Sequence, residues 1–398
     1  MSRQFMYGTM HEKDVIYLDN AATSWPKPDS VLEEIVRFYR EVGANPGRSG
    51  HRLSVEAERI RMETREALCG LLGAEDPLSV IFTANVTAAV SLVLLGYLRP
   101  GDRVVTTSME HNAVLRPLRF LENTRDIHLT LVQAGADGGI DPEDFRKVLT
   151  GDVRLAVVNH ASNVCGTILP VAEFGKIASE CGIPLMVDAA QTAGCWPLDM
   201  GKDNIDILAF TGHKGLLGPT GTGGVIFGAR FDPREVTPLM FGGTGSRSEK
   251  EVQPDFMPDC FESGTADIGG IAGLRAGVQW VRERGVEVIG EHERNMTRRL
   301  LDALGNIDGV RIFGPLDEQR QTATVSFTVE GMSVSEVGMR LSDEHNVMSR
   351  VGLHCAPRAH RTLGTFPEGT IRFSMGPFTT DEDIDTAAGA VARIVHEK

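Results

Sequence analysis

Short runs of uninterrupted apolar residues recur through the first half of the chain. Residues 80–83, 103–106, 155–158, 184–187, 206–210 and 224–227 show little polar alternation. That is how strands covered on both faces read, as in parallel sheets. Residues 86–98, 142–149 and 171–181 carry helical patterns between them. Alternating strand and helix predicts a doubly wound α/β sheet. Past residue 270 the pattern changes. Residues 271–284 and 286–304 read as long helices, 323–329 alternate, 334–343 read as a helix and 371–374 as a strand. A closing helix over 381–396 begins with acidic residues, the favourable end of its dipole. The sequence thus divides into a lead-in over 1–29, extended through Trp25-Pro26-Lys27-Pro28, a large domain over 30–265 and a smaller α+β domain over 266–398.

Composition narrows the class. Of 398 residues, 41% are hydrophobic and 24% charged, which excludes wholesale disorder, collagen and coiled coil. The net charge of −14 makes a poor generic binder of nucleic acid or anionic membrane, because phosphate binding wants clustered Lys and Arg. Six cysteines lack CxxC or zinc-type spacing, so neither a disulfide framework nor a metal site is expected. The first fourteen residues lack an apolar core of signal-peptide length, and no apolar run reaches membrane-spanning length. A cytoplasmic location is the expectation.

In open α/β sheets, ligands bind at the carboxyl ends of strands. After 80–83 comes Ala84-Asn-Val-Thr87, which suits an anion or simply a helix cap. After 103–106 comes Ser108-Met-Glu-His-Asn112; after 155–158, Asn159-His-Ala-Ser-Asn163; after 184–187, Asp188-Ala-Ala-Gln191; after 206–210, Thr211-Gly-His-Lys214. Four polar clusters on one sheet edge point to a site. Asp188 and Lys214 form the pair a pyridoxal phosphate enzyme needs: the lysine to hold the cofactor aldehyde, the aspartate to keep the pyridine nitrogen protonated. The same pair could instead be a buried salt bridge, which only geometry can decide. The Gly-rich stretch 215–224 is neither a Walker loop nor GxGxxG opening a helix, and reads as a tight connection.

Several segments carry a resemblance: Tyr17-Leu-Asp-Asn-Ala-Ala-Thr23, Met109-Glu-His-Asn-Ala113, Ser162-Asn-Val-Cys-Gly-Thr167, Val187-Asp-Ala-Ala-Gln191, Gly212-His-Lys214, Phe261-Glu-Ser-Gly-Thr265 and Arg350-Val-Gly-Leu-His-Cys-Ala356. In this order, from about residue 15 onward, the chain resembles class V aminotransferase-fold proteins, and among them cysteine desulfurases and selenocysteine lyases. The resemblance implies the pyridoxal-phosphate transferase fold of type I: a mostly parallel seven-stranded sheet in the large domain, and a lead-in packed on the small one.

The same resemblance implies roles. Lys214 would carry pyridoxal 5'-phosphate, His111 stack on its ring and help move protons, Asp188 pair with the ring nitrogen and Gln191 reach the ring hydroxyl. Thr87, Thr211 and His213 would hold the phosphate; Thr211 stands where many relatives have Ser, and its hydroxyl serves equally. Thr265 would reach the phosphate of a second subunit in a homodimer. Arg372 would clamp the substrate carboxylate through a bidentate guanidinium, with Asn163 and Arg350 positioning the substrate. Cys355 would attack the substrate sulfur. It lies near Arg350 and His354 in sequence, and positive neighbours favour a thiolate.

The implied reaction takes sulfur from L-cysteine, leaving L-alanine and a Cys355 persulfide for an acceptor protein. The short Cys355 loop resembles the group that serves dedicated acceptors. L-selenocysteine as substrate, another class V activity such as aminotransfer or epimerisation, and a non-catalytic scaffold stay open on sequence alone. The stretch 242–246 (Gly-Gly-Thr-Gly-Ser) is expected as a loop near the site.

Overall fold

A computed structural model describes residues 15–47 and 50–397. The first fourteen residues, on which the leader-peptide expectation falls, lie outside the described residues. The strands in chain order are β1 (Ile16–Tyr17), β2 (Val80–Thr83), β3 (Arg103–Thr107), β4 (His128–Val132), β5 (Val153–Asn159), β6 (Leu185–Asp188), β7 (Ile207–Thr211), β8 (Gly223–Phe227), β9 (Val310–Phe313), β10 (Thr324–Val329), β11 (Val347–Met348), β12 (Arg350–Gly352) and β13 (Thr370–Ser374).

Strands β2 to β8 form one seven-stranded sheet in the order β2-β8-β7-β6-β5-β3-β4. Strands β3 to β7 run parallel, and β8 is antiparallel to both its neighbours. Their apolar runs are buried because both faces are covered. One face packs Phe145 and Phe174 of the Pro142–Val148 and Val171–Cys181 helices, their rings stacked at 4.4 Å. The other packs Val90 and Leu118 of the Val86–Tyr97 and Asn112–Arg125 helices. Truncating a ring such as Phe174, which is wholly buried, costs about 3–5 kcal/mol.

A second core joins Leu18 with Leu300, Phe327, Ile371, Phe373 and Val391 under a four-stranded antiparallel sheet, β12-β13-β10-β9. The lead-in reaches this core directly: β1 pairs in parallel with β11, and the Leu18 N–H donates to Met348 O at 2.9 Å. Chain packing departs from the expected divide at residue 265. The Ile268–Arg284 helix joins the large sheet, with Ile271 and Ala272 against Phe38 and Ile60, and Leu274 and Val278 in the large core. The smaller core takes its first helix from Val286–Gly305, through Met296, Leu300 and Leu304. Among the described residues no helix is long and apolar enough to cross a membrane.

Candidate active site

Register brings the polar strand ends together. Asn159 pairs with Asp188, and Asp188 with Ala209. Gly223 pairs with both Thr83 and Thr211. The Val86–Tyr97 helix opens at the same edge. Asn85 caps it by accepting from the Ala88 N–H at 3.0 Å, which leaves Thr87 exposed in the first turn. Gly223 is required here, because a Cβ would lie 2.7 Å from the backbone of Asn85. Thr211 Oγ1, on the strand paired with Gly223, and His213 Nδ1 are buried without partners among the described residues. Unpaired hydroxyl, imidazole and helix-end amides together make a place for an anion.

Lys214 follows from the turn that closes β7, pinned by the Gly212 N–H donating to Thr222 O at 2.8 Å. Burial lowers its ammonium to about 8, with Asp188 opposing and Arg372 and Arg350 reinforcing. Burial raises the Asp188 carboxyl, while the Ala190 N–H, at 2.9 Å, and Lys214 hold it down. The two attract each other, yet no contact ion pair joins them, so the geometry does not make them a direct salt bridge. Gln191 donates to Ala21 O at 3.2 Å beside them.

His111 is the cap of the Asn112–Arg125 helix. Its Nδ1 accepts from the Ala113 N–H at 3.0 Å, so the neutral ring carries its proton on Nε2. Burial first, then Lys214, Arg116 and Arg372, push its pKa down to about 4.

The smaller unit contributes Arg372 from β13, close enough to bear on the Lys214 charge. Its guanidinium is buried and donates to Asn163 O and to Asp19 Oδ1, each at 2.8 Å; its Nε has no partner. Arg350 reaches the other Asp19 oxygen at 3.5 Å from an exposed position. Asp19, the carboxylate that pairs with both arginines, was not singled out in the sequence, although it sits inside the quoted Tyr17–Thr23 segment. Its partners lie more than 330 positions away, so spacing gave no signal. Glu110 was missed likewise. It is fully buried, accepts from Thr107 Oγ1 at 2.6 Å and the Asn159 N–H at 3.0 Å, and burial pushes it up to about 8.

Cys355 is the one exposed cysteine among the described residues. It lies between β12 and the Pro357–Leu363 helix, with His354 and Cys355 both left-handed at φ 48° and 56°. Two bonds tie this turn down: the Asn112 N–H donates to Cys355 O at 2.8 Å, and Asn163 Nδ2 to His354 O at 2.6 Å. His354 does not act as the positive neighbour that its place in the sequence suggests. It is buried against His360, rings stacked with centroids 5.4 Å apart, and burial with nearby Arg372 pushes it down to about 2. Cys165, also near the site, is buried and bonded to Thr167 Oγ1 at 3.0 Å.

Thr265 stands apart from this cluster. It lines an open cavity of about 830 Å³ that runs from Thr83 and Gly223 to Gly243, Thr244 and Gly245 of the glycine-rich loop. One chain therefore brings Lys214, Asp188, Gln191, His111, Thr211, His213 and Thr87 to one edge and Arg372, Asn163, Arg350 and Cys355 to its mouth, with Thr265 on the outer wall.

Comparison with known proteins agrees with this architecture. The family model described as aminotransferase class-V matches residues 16–386. A probable cysteine desulfurase from Pyrococcus abyssi is 35% identical over 391 residues, covering 96% of this chain and 95% of that one. A cysteine desulfurase from Haloferax volcanii is 32% identical, covering 96% and 90%. The apo structure of cysteine desulfurase from Thermococcus onnurineus superposes with a TM-score of 0.91 at 33% identity, covering 97% and 96%. The chain belongs to the aminotransferase class-V family, on its cysteine desulfurase branch.

Proposed function

We propose that the chain acts as a cysteine desulfurase by holding pyridoxal phosphate at this sheet edge and handing sulfur from L-cysteine to Cys355. The residues fit that cofactor. Lys214 and Asp188 attract each other without a contact ion pair, and two buried polar atoms, Thr211 Oγ1 and His213 Nδ1, have no partner among the described residues. Thr87, Thr211 and His213 would hold the phosphate, Asp188 the ring nitrogen, Gln191 the ring hydroxyl and His111 the ring face. Thr265 of one subunit would complete the phosphate site of the other in a homodimer, across the open cavity. The bound cofactor supplies an electron sink for the substrate's α-carbon.

The chain's own groups do the rest. Arg372, with Asn163 and Arg350, binds the substrate carboxylate, and Arg372 must loosen its bond to Asp19 to do so. Lys214, at about 8, keeps a neutral amine fraction at neutral pH and can take the α-proton. Neutral His111 keeps a proton on Nε2 to share with the ring side of the site. The Cys355 thiolate then attacks the substrate sulfur: a new S–S bond forms, the C–S bond breaks, and its electron pair stays with carbon, which is protonated to alanine. Cys355 is left as a persulfide for an acceptor protein. Unpaired cysteines among the described residues suit a cytoplasmic setting.

The observation that carries this reading is the exposed Cys355 thiol, tied by a backbone bond to the helix that His111 caps. Purified protein given L-cysteine and dithiothreitol should release alanine and sulfide in equal amounts. The Cys355→Ala variant should keep the cofactor's visible absorbance and form no persulfide. Undiminished sulfide release from that variant would overturn the reading.

A further inference from the structure

Beside the Cys355 turn runs a second groove, of about 340 Å³, that the reaction does not use. Its walls are the Asn112–Arg125 and Pro357–Leu363 helices, and Leu115 and Leu131 are among its lining. Each wall presents two arginines three positions apart and so on one face: Arg116 and Arg119, Arg358 and Arg361. Arg119 is paired with Glu122 at 2.6 Å. Arg116, Arg358 and Arg361 have no carboxylate within ion-pair distance among the described residues. The Arg361 guanidinium is stacked 3.6 Å above the Phe366 ring, which orders it before any partner arrives. This cluster sits on a chain whose net charge is −14.

The groove adjoins the thiol. Asn112 and Pro357 line it, and Asn112 is the residue whose N–H holds Cys355 O. We propose that it docks the acceptor: an acidic segment of a partner protein that carries a thiol and takes the sulfur from Cys355. The proposal rests on the desulfurase reading and adds the place and the charge of the partner. Acidic side chains on the segment meet three unpaired guanidinium groups, and its apolar side chains meet Leu115 and Leu131. Complementary charge of this kind raises the association rate and sets orientation. In the transfer, the acceptor thiolate attacks the outer sulfur of the Cys355 persulfide. One S–S bond forms as another breaks, Cys355 leaves as thiolate, and the acceptor's displaced proton is returned to it through water. No net oxidation or reduction occurs.

Two twelve-residue peptides test this on the holoenzyme, each with one central cysteine, one flanked by glutamates and the other by lysines. Persulfide on each peptide is followed by mass spectrometry during L-cysteine turnover. The wild type should favour the glutamate peptide by about tenfold at low salt, and the preference should fade at high ionic strength. Arg358→Glu should reduce that preference and Arg358→Glu with Arg361→Glu should invert it, while dithiothreitol-supported sulfide release stays within about twofold. Comparing the proteins with each other cancels the peptides' intrinsic thiol reactivity. Equal use of both peptides by the wild type, or a preference unchanged in both variants, would overturn the docking proposal. Absence of dithiothreitol-supported sulfide from the wild type would overturn the desulfurase reading and this one with it, a failure distinct from equal peptide rates.

Discussion

The sheet edge that holds Lys214 and the turn that holds Cys355 belong to one candidate site but are built on opposite rules. At the edge, the groups are buried, the backbone is in register and a glycine is demanded by contact: Asp188 is 5% exposed, Thr211 2%. At the turn, the thiol is exposed, two consecutive residues take left-handed backbone, and the hold comes from two hydrogen bonds to other segments. Burial sets the chemistry of the first region by moving pKa values, as at Lys214 and His111. Access sets the chemistry of the second. A group that receives sulfur from one molecule and gives it to another must stay reachable, whereas a cofactor must be kept.

That contrast breaks first at Lys214. Lys214→Ala should lose the visible cofactor band on desalting and lower alanine formation by about 10²–10⁴-fold; retention of both would show that the edge is not the cofactor site. The glycines sharpen it next. Gly223→Ala puts a methyl 2.7 Å from the Asn85 backbone, a cost of about 1–3 kcal/mol, and should weaken pyridoxal phosphate binding by about 5- to 150-fold if that cost falls on the bound state. Gly352, at φ 102°, faces open space, with no atom within 4 Å of where a Cβ would stand. Gly352→Ala should cost stability through backbone strain alone, about 1 kcal/mol, and leave cofactor binding within about twofold. Equilibrium titration of both variants checks the pair.

A separate effect concerns acid. His354 and His360 sit below the turn at about 2 and about 4, against about 6.5 in an unfolded chain. The unfolded state therefore binds more protons between pH 6.5 and about 4, so stability should fall as pH drops through that window. His354→Gln with His360→Gln should flatten the slope by about 1 kcal/mol per pH unit for each histidine, read from urea midpoints. Glu110, raised to about 8, acts oppositely: its contribution is present below about 4.5 and fades as pH rises through 8. That slope should survive in the double variant.

How much of this was legible in the sequence follows from where each signal lies. Strands β2, β3 and β5 to β8 read as apolar runs because both faces are covered. His128–Val132 escaped notice because β4 is an edge strand, half-buried, with a polar residue at alternate positions. The Asp188–Lys214 pair was visible as strand-end chemistry, but whether it makes a contact ion pair is a matter of distance. Asp19 stayed hidden for the same reason, since its meaning comes from Arg372 and Arg350 on the other side of the fold. His354 misled: adjacency to Cys355 suggested a shared microenvironment, yet successive residues of a tight turn point apart, one into the core and one outward.

The bond from the Asn112 N–H to Cys355 O has a mechanical side. It is a strut between the first turn of one helix and the loop that bears the nucleophile, and His111, the next residue back, caps that turn. Any partner that tugs the Cys355 loop outward must either snap the strut or drag the imidazole with it. Motion of the Cys355 loop and orientation of the His111 imidazole are therefore linked mechanically through a single peptide unit.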